Sequence, residues 1–275
     1  MARRPRLLLA GQLYHVLLHG HNDQPVFLDD EDRQACRQVL GQAAADNGVA
    51  LHAWVLLPAR IHLLVTPRTA EALPRVMQAL GRQYVRLFNT RHRRSGTLWA
   101  GRFRSSLVEG PRFGLACQQY LESLPVRQGL VPLPDDHPWS SCRHHLGLLH
   151  EHGLHPQPAY WALGNTPFER ERAWQALLQP AAVRDALEQV EQVLLHHDLD
   201  RALRRGHPLA SAPWLRRLEL IHECDFQFRH VGRPVRRISA GGDAGQRAAA
   251  EAAAAERAAI ERHSPLLAGK RRKYR

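Results

Sequence analysis

Cysteine, lysine and long apolar runs are what this sequence is short of. Its four cysteines, Cys36, Cys117, Cys142 and Cys224, lie far apart with no CxxC pair, which excludes a disulfide framework and a cysteine zinc site and leaves buried free thiols as the expectation. Lysine occurs only as Lys270 and Lys273, so nearly all the positive charge is arginine. No apolar run approaches the roughly 18 residues of a membrane span, and MARRPRLLLAGQLYHV at the start holds too short an apolar stretch for a signal peptide. The expectation is a cytoplasmic chain with no membrane partner.

Against these absences stands charge. The 275 residues hold 38 Lys+Arg and 26 Asp+Glu, a formal net charge of +12 with a pI near 10.6, which points to a polyanionic partner rather than a small-molecule substrate. Arginine suits phosphate, because its planar fork donates two parallel hydrogen bonds and sheds water more readily than an ammonium. Nucleotide bias in the coding sequence accounts for arginine in place of lysine; it does not account for the net charge. With 44% hydrophobic and 23% charged residues the composition is globular, and the length admits one large domain or two of about 100–150 residues.

Residues 12–19, QLYHVLLH, read as a short strand, followed by a polar turn and a second apolar stretch, Pro25–Leu28. From Asp29 the text opens with acids and closes on Asn47-Gly48, the signature of a helix with its dipole compensated at the start and a glycine stop. LHAWVLL and IHLLVTP, split by Pro58-Ala59-Arg60, predict a β-hairpin. Leu73, Val76, Met77, Leu80, Tyr84, Leu87 and Phe88 have helical spacing over about 73–91; a basic turn and a strand follow, and PRFGLACQQYLESL starts a last helix with Phe113, Cys117, Tyr120 and Leu121 on one face. This order predicts an α+β fold: a ferredoxin-like antiparallel sheet with helices on one side. Strand signals then cease, predicting an all-helical C-terminal extension. The expected divisions are 1–147, 148–240 (helices ERERAWQALLQ, AAVRDALEQVEQVLLHH and DLDRALRRG) and 241–275, an alanine-rich segment with a basic end and too few large apolar groups for a core.

Five stretches in order, YHVLLHGHNDQPVFLDDED, HAWVLLPARIHLLVTP, GTLWAGRFRSSLVE, YLESLPVRQGLVP and HPWSSCRHHLG, resemble the REP-associated tyrosine transposases, a branch of the IS200-like, single-tyrosine HUH transposases. YWALGNTPFERERAWQALL and RGHPLASAPWL resemble the helical extension of many members. The resemblance implies a nucleoid-associated protein, monomer or homodimer, that recognises hairpin-bearing single-stranded DNA. It also implies a tyrosine that attacks a phosphodiester to give a 5′-phosphotyrosine and a free 3′-hydroxyl, with Mg²⁺ or Mn²⁺ held by two histidines and a third polar residue polarising the phosphate.

Carried over, Tyr120 falls on the nucleophile and His62 on the second histidine, the one family metal ligand retained. The first histidine is Arg60, which has no lone pair to give a cation, and the polar residue expected four after the tyrosine is Leu124. The sequence therefore predicts a damaged metal site. His15, His19 and His21 share a face if the first strand stays regular, and are the candidates for rebuilding it. Arg60 could pair with the phosphate that the cation once served. Arg91, Arg93, Arg94, Trp99, Arg102 and Arg104 interleave guanidinium groups with an aromatic, a pattern that holds single strands by charge and stacking; Phe103 reads as core. Two further readings stand beside the transposase: a catalytically impaired, binding-only protein, and an RNA-hairpin binder on the same sheet.

Overall fold

A computed structural model describes residues 8–180 and 207–222. The chain divides into two compact units, Met1–Trp214 and Leu215–Arg275. The expected helices over 181–206 and the tail 241–275 lie outside the described residues.

The first unit is built on four strands, β1 (Leu13–His19), β2 (Val49–Leu57), β3 (Arg60–Pro67) and β4 (Arg104–Val108), with helices α1 (Asp30–Asn47), α2 (Ala72–Arg91) and α3 (Gly110–Arg127) between or after them. The sheet is antiparallel in the order β2-β3-β1-β4, so the α+β expectation holds. The predicted helix ends hold too: the Asp29 side chain accepts from the Asp32 N–H to cap α1, and Gly48, at φ 66°, ends it in the left-handed conformation that glycine adopts without strain.

Because successive strand residues face opposite sides, the sheet has two covered faces rather than one. Trp54 lies on the same face as α1, with the Arg37 guanidinium of that helix over its ring, and α2 packs beside α1. The other face, carrying Leu13, Ala53, Val55, Leu57, Leu64 and Val108, packs against Phe113, Cys117, Tyr120, Leu121 and Leu124 of α3. The departure from helices on one side is α3. Its apolar stripe is broad enough to cover a second face, which periodicity alone does not assign to either side.

Both sheet edges carry backbone pairing from later segments, which reduces the hazard of unpaired strand groups. Along β2, the Leu56 N–H donates to Trp139 O and the Ser141 N–H to Trp54 O, so HPWSSCRHHLG supplies an edge cover. Along β4, Leu209 bridges Val108 in parallel. Short helices α4 (Cys142–His145) and α5 (Pro158–Trp161) and the helix α6 (Pro167–Leu177) follow. Cys142, Tyr160, Trp174 and Leu178 form a second buried cluster with Leu115 of α3 packed against it. Thr166 and Glu169 cap the start of α6 reciprocally. The remaining described helix is α7 (Ala212–His222). Cys36, Cys117 and Cys142 are buried free thiols, while Cys224 lies outside the described residues. No described helix is long and apolar enough to cross a membrane.

Candidate active site

The β1/β3 register sets Leu17 opposite His62 and His15 opposite Leu64, so His15 and His62 are diagonal neighbours on the α3 side of the sheet. They meet: His15 Nε2 lies 3.0 Å from His62 Nδ1, a hydrogen bond between two buried imidazoles. Tyr120 descends from α3 onto the pair, its ring centroid 6.5 Å from that of His15 and 6.4 Å from that of His62. All three are nearly sealed, at 0%, 2% and 1% exposure. Ser106, opposite His15 on β4, is buried beside them. Leu124, one helical turn beyond Tyr120, is part of the apolar core.

Two turns beyond Tyr120, the Arg127 guanidinium carbon lies 5.0 Å from the Tyr120 ring centroid, a cation–π distance. Arg127 also lines a groove of about 1020 Å³ shared with Ser123, Leu133, Phe168 and Arg172. It was not singled out in the sequence; its spacing of seven from the tyrosine was the available signal.

At the rim, Arg60 pairs with His19 across the strands. Both reach Asp23, with His19 Nε2 at 2.7 Å and Arg60 Nη2 at 3.3 Å from Asp23 Oδ1. The His19 hydrogen bond, then its charge, hold the Asp23 carboxyl below the usual range, with Arg60 adding to it. A phosphate reaching Arg60 must therefore displace or share Asp23. His21 sits exposed in the following turn. Of the three candidate histidines, only His15 joins His62.

The donor set does not fit the expected cation. Two imidazoles that hydrogen-bond to each other, a guanidinium at the rim and a leucine on α3 offer Mg²⁺ or Mn²⁺ none of the oxygen ligands such hard ions prefer. Among the described residues no three His, Cys, Asp or Glu side chains are grouped to hold a metal.

The arginine–aromatic segment separates in space. Trp99 is buried and packs on Tyr84 at 6.2 Å between centroids, so it is a core residue and not a stacking platform for bases. Arg91 bridges Asp29, Glu31 and Asp32 at 2.6, 2.6 and 2.8 Å. Its hydrogen bond is the leading cause that takes Asp29 down to about 2. Burial raises the Asp32 carboxyl, but donors from Leu28, His92 and Arg91 outweigh it and hold it low. Arg91 is thus a strut between α1 and α2 with its charge answered by carboxylates. Arg94 folds over the Phe88 ring. Arg93 and Arg102 are exposed, and exposed Arg104 is opposite Leu17, in the same row of the sheet as His62.

The sequence also left unremarked a second polar centre, on the back of α3. Glu122, 0% exposed, accepts from Ser141 Oγ at 2.6 Å and Trp174 Nε1 at 2.9 Å and bonds His145 Nδ1 at 2.6 Å. The partners come from HPWSSCRHHLG and from α6, so this carboxylate ties the C-terminal helices to the tyrosine-bearing helix.

Residues 10–123 match the family model described as Transposase IS200 like. Over these residues the chain is similar to the IS200-like transposases. Among solved structures, a REP-associated tyrosine transposase bound to a REP hairpin is similar at 19% identity, over 57% of this chain and 89% of that one, with a TM-score of 0.44. A Deinococcus radiodurans protein assigned as a transposase is similar at 22% identity, over 44% and 96%, with a TM-score of 0.31. No curated protein matches the chain. The matched segment contains β1 to β4, helices α1, α2 and α3 up to Ser123, and Tyr120, His15 and His62.

Proposed function

We propose that the protein recognises hairpin-bearing single-stranded DNA, as a REP-associated type of IS200-like transposase, and that Tyr120 is its nucleophile. The observation that carries this is the convergence of Tyr120, His15 and His62 on one buried point of the matched segment. In the reaction the Tyr120 oxygen bonds to phosphorus while the bond to the 3′-oxygen of the upstream nucleotide breaks. The phenolic proton passes to the imidazole pair, and the departing oxygen takes up a proton to become the 3′-hydroxyl. Arg127, over the tyrosine ring, and Arg104, in the same row of the sheet as His62 with Leu17 between them, are the cations on this side of the sheet that would receive the phosphate charge. The donor set does not favour a metal ion at this point. Because Tyr120 is closed off, DNA must open the space between α3 and the sheet before attack.

That burial, with Leu124 in the core, also favours a second reading in which the domain binds the hairpin and no longer cuts it. Incubating the full chain with labelled hairpin-bearing single strands, with Mg²⁺, with Mn²⁺ and with EDTA, separates the two. An adduct lost in Tyr120→Phe and retained in EDTA supports metal-independent attack. Tight binding with no adduct under any condition supports binding alone, and absence of binding to DNA hairpins but not to RNA hairpins of the same sequence overturns the DNA assignment.

A further inference from the structure

α2 buries Leu73, Val76, Met77, Leu80, Tyr84 and Phe88 and contains no acidic residue in its 20 positions. At 3.6 residues per turn, Arg75, Arg82 and Arg86 fall within about 40° of each other and roughly opposite that buried set, in a straight row about 16 Å long. All three are exposed. Among the described residues none of them forms an ion pair, whereas Arg91 on the same helix is met by three carboxylates.

An ordinary solvated helix face mixes signs and gains from pairs four residues apart; here Arg82 and Arg86 repel at that spacing. The row also lacks what single strands need, since its neighbours Gln78, Ala79 and Gln83 offer no aromatic surface for stacking. A line of cations without stacking groups matches the phosphate backbone of a duplex, which presents charge at short, regular intervals. α2 belongs to the helix layer opposite α3, so the row points away from Tyr120.

We infer that Arg75, Arg82 and Arg86 form a second DNA surface, which holds duplex phosphates without reading bases on the side of the sheet opposite the tyrosine. The inference rests on the reading of the chain as a DNA-binding protein. The test is fluorescence anisotropy of the full chain with a random-sequence DNA duplex and with a hairpin-bearing single strand, each from low to moderate salt, for wild type, a triple Arg→Gln variant and a triple Arg→Lys variant. With about 0.9 counterions released per phosphate neutralised, the duplex salt slope should fall by about 2–3 in the Gln variant. Duplex affinity at low salt should fall at least tenfold, the Lys variant should recover the slope, and hairpin affinity should change less than about threefold. A Gln variant with an unchanged duplex slope, or a wild type that binds hairpins but not duplex, overturns the inference. A wild type that binds neither DNA defeats the DNA reading itself. Arg→Gln keeps helix propensity, and a thermal midpoint equal to or above wild type verifies folding.

Discussion

The two sides of α3 are both buried and both polar, yet they are built differently. On the far side, Glu122 has three side-chain donors from Ser141, His145 and Trp174. On the sheet side, Tyr120 faces two histidines that bond each other, with Leu124 of the apolar core one helical turn on. A buried charge that is fully hydrogen-bonded serves the fold; a buried cluster that exceeds what packing needs is a candidate for chemistry. Arg91 and the Arg75–Arg86 row repeat the lesson on α2, one set of charges answered within the chain and the other left to solvent or a partner.

The largest effect should come from Glu122→Ala, which strands three donors in a sealed space and should cost about 3–5 kcal/mol in urea unfolding. Tyr120→Phe, on the opposite side, should cost about 1 kcal/mol or less while removing any covalent DNA adduct. If the two cost the same, the distinction between a structural and a chemical side of α3 fails. Next comes Trp174→Phe, which keeps most of the ring volume but loses a hydrogen bond to a charged acceptor. A loss of about 1.5–3 kcal/mol is expected, together with weaker protection of α3 amides in hydrogen exchange.

Acid should act through the histidines. Burial lowers His52, His137 and His144, the last to about 4 with the neighbouring His145 and His150 charges contributing. A lowered imidazole means the unfolded chain binds protons first, so stability is full above about pH 6.5 and falls as pH drops toward 4. Glu151, raised mainly by burial against the opposing Arg37 charge, works the other way and blunts the fall. The thermal midpoint should therefore drop between pH 6.5 and 5, and His144→Gln should reduce that drop. The smallest effect belongs to Arg60→Ala, whose partner Asp23 is exposed. Unfolding should shift by well under 1 kcal/mol, and any loss of DNA affinity larger than that would return Arg60 to the phosphate role that Asp23 now contests.

Local chemistry made much of the fold legible. The acids and cap at Asp29, the Asn47-Gly48 stop, the turn at Pro58-Ala59 and the stripe of α2 all act within a few residues of one another, and the elements lie where that chemistry puts them. Trp99 belongs to the core, and an aromatic among arginines has the same sequence pattern whether it lines a groove or anchors a core. Its contact with Tyr84 crosses from one element to another and leaves no mark on the spacing. The candidate site was half legible: motif order located Tyr120 and His62, while His15 joined them only through the β1/β3 register, which a shift of one residue would have turned to the other face.

By itself, then, the sequence determined the elements, the charge and the motif order, because each is carried by residue type and short-range spacing. Only the tertiary structure decided that α3 covers the second face, that His15 rather than His19 or His21 meets His62, that Arg91 is answered and Arg75, Arg82 and Arg86 are not, and that Glu122 is bound from residues 19, 23 and 52 positions away. These are outcomes of register and packing, which depend on contacts between segments whose separation along the chain carries no local signal.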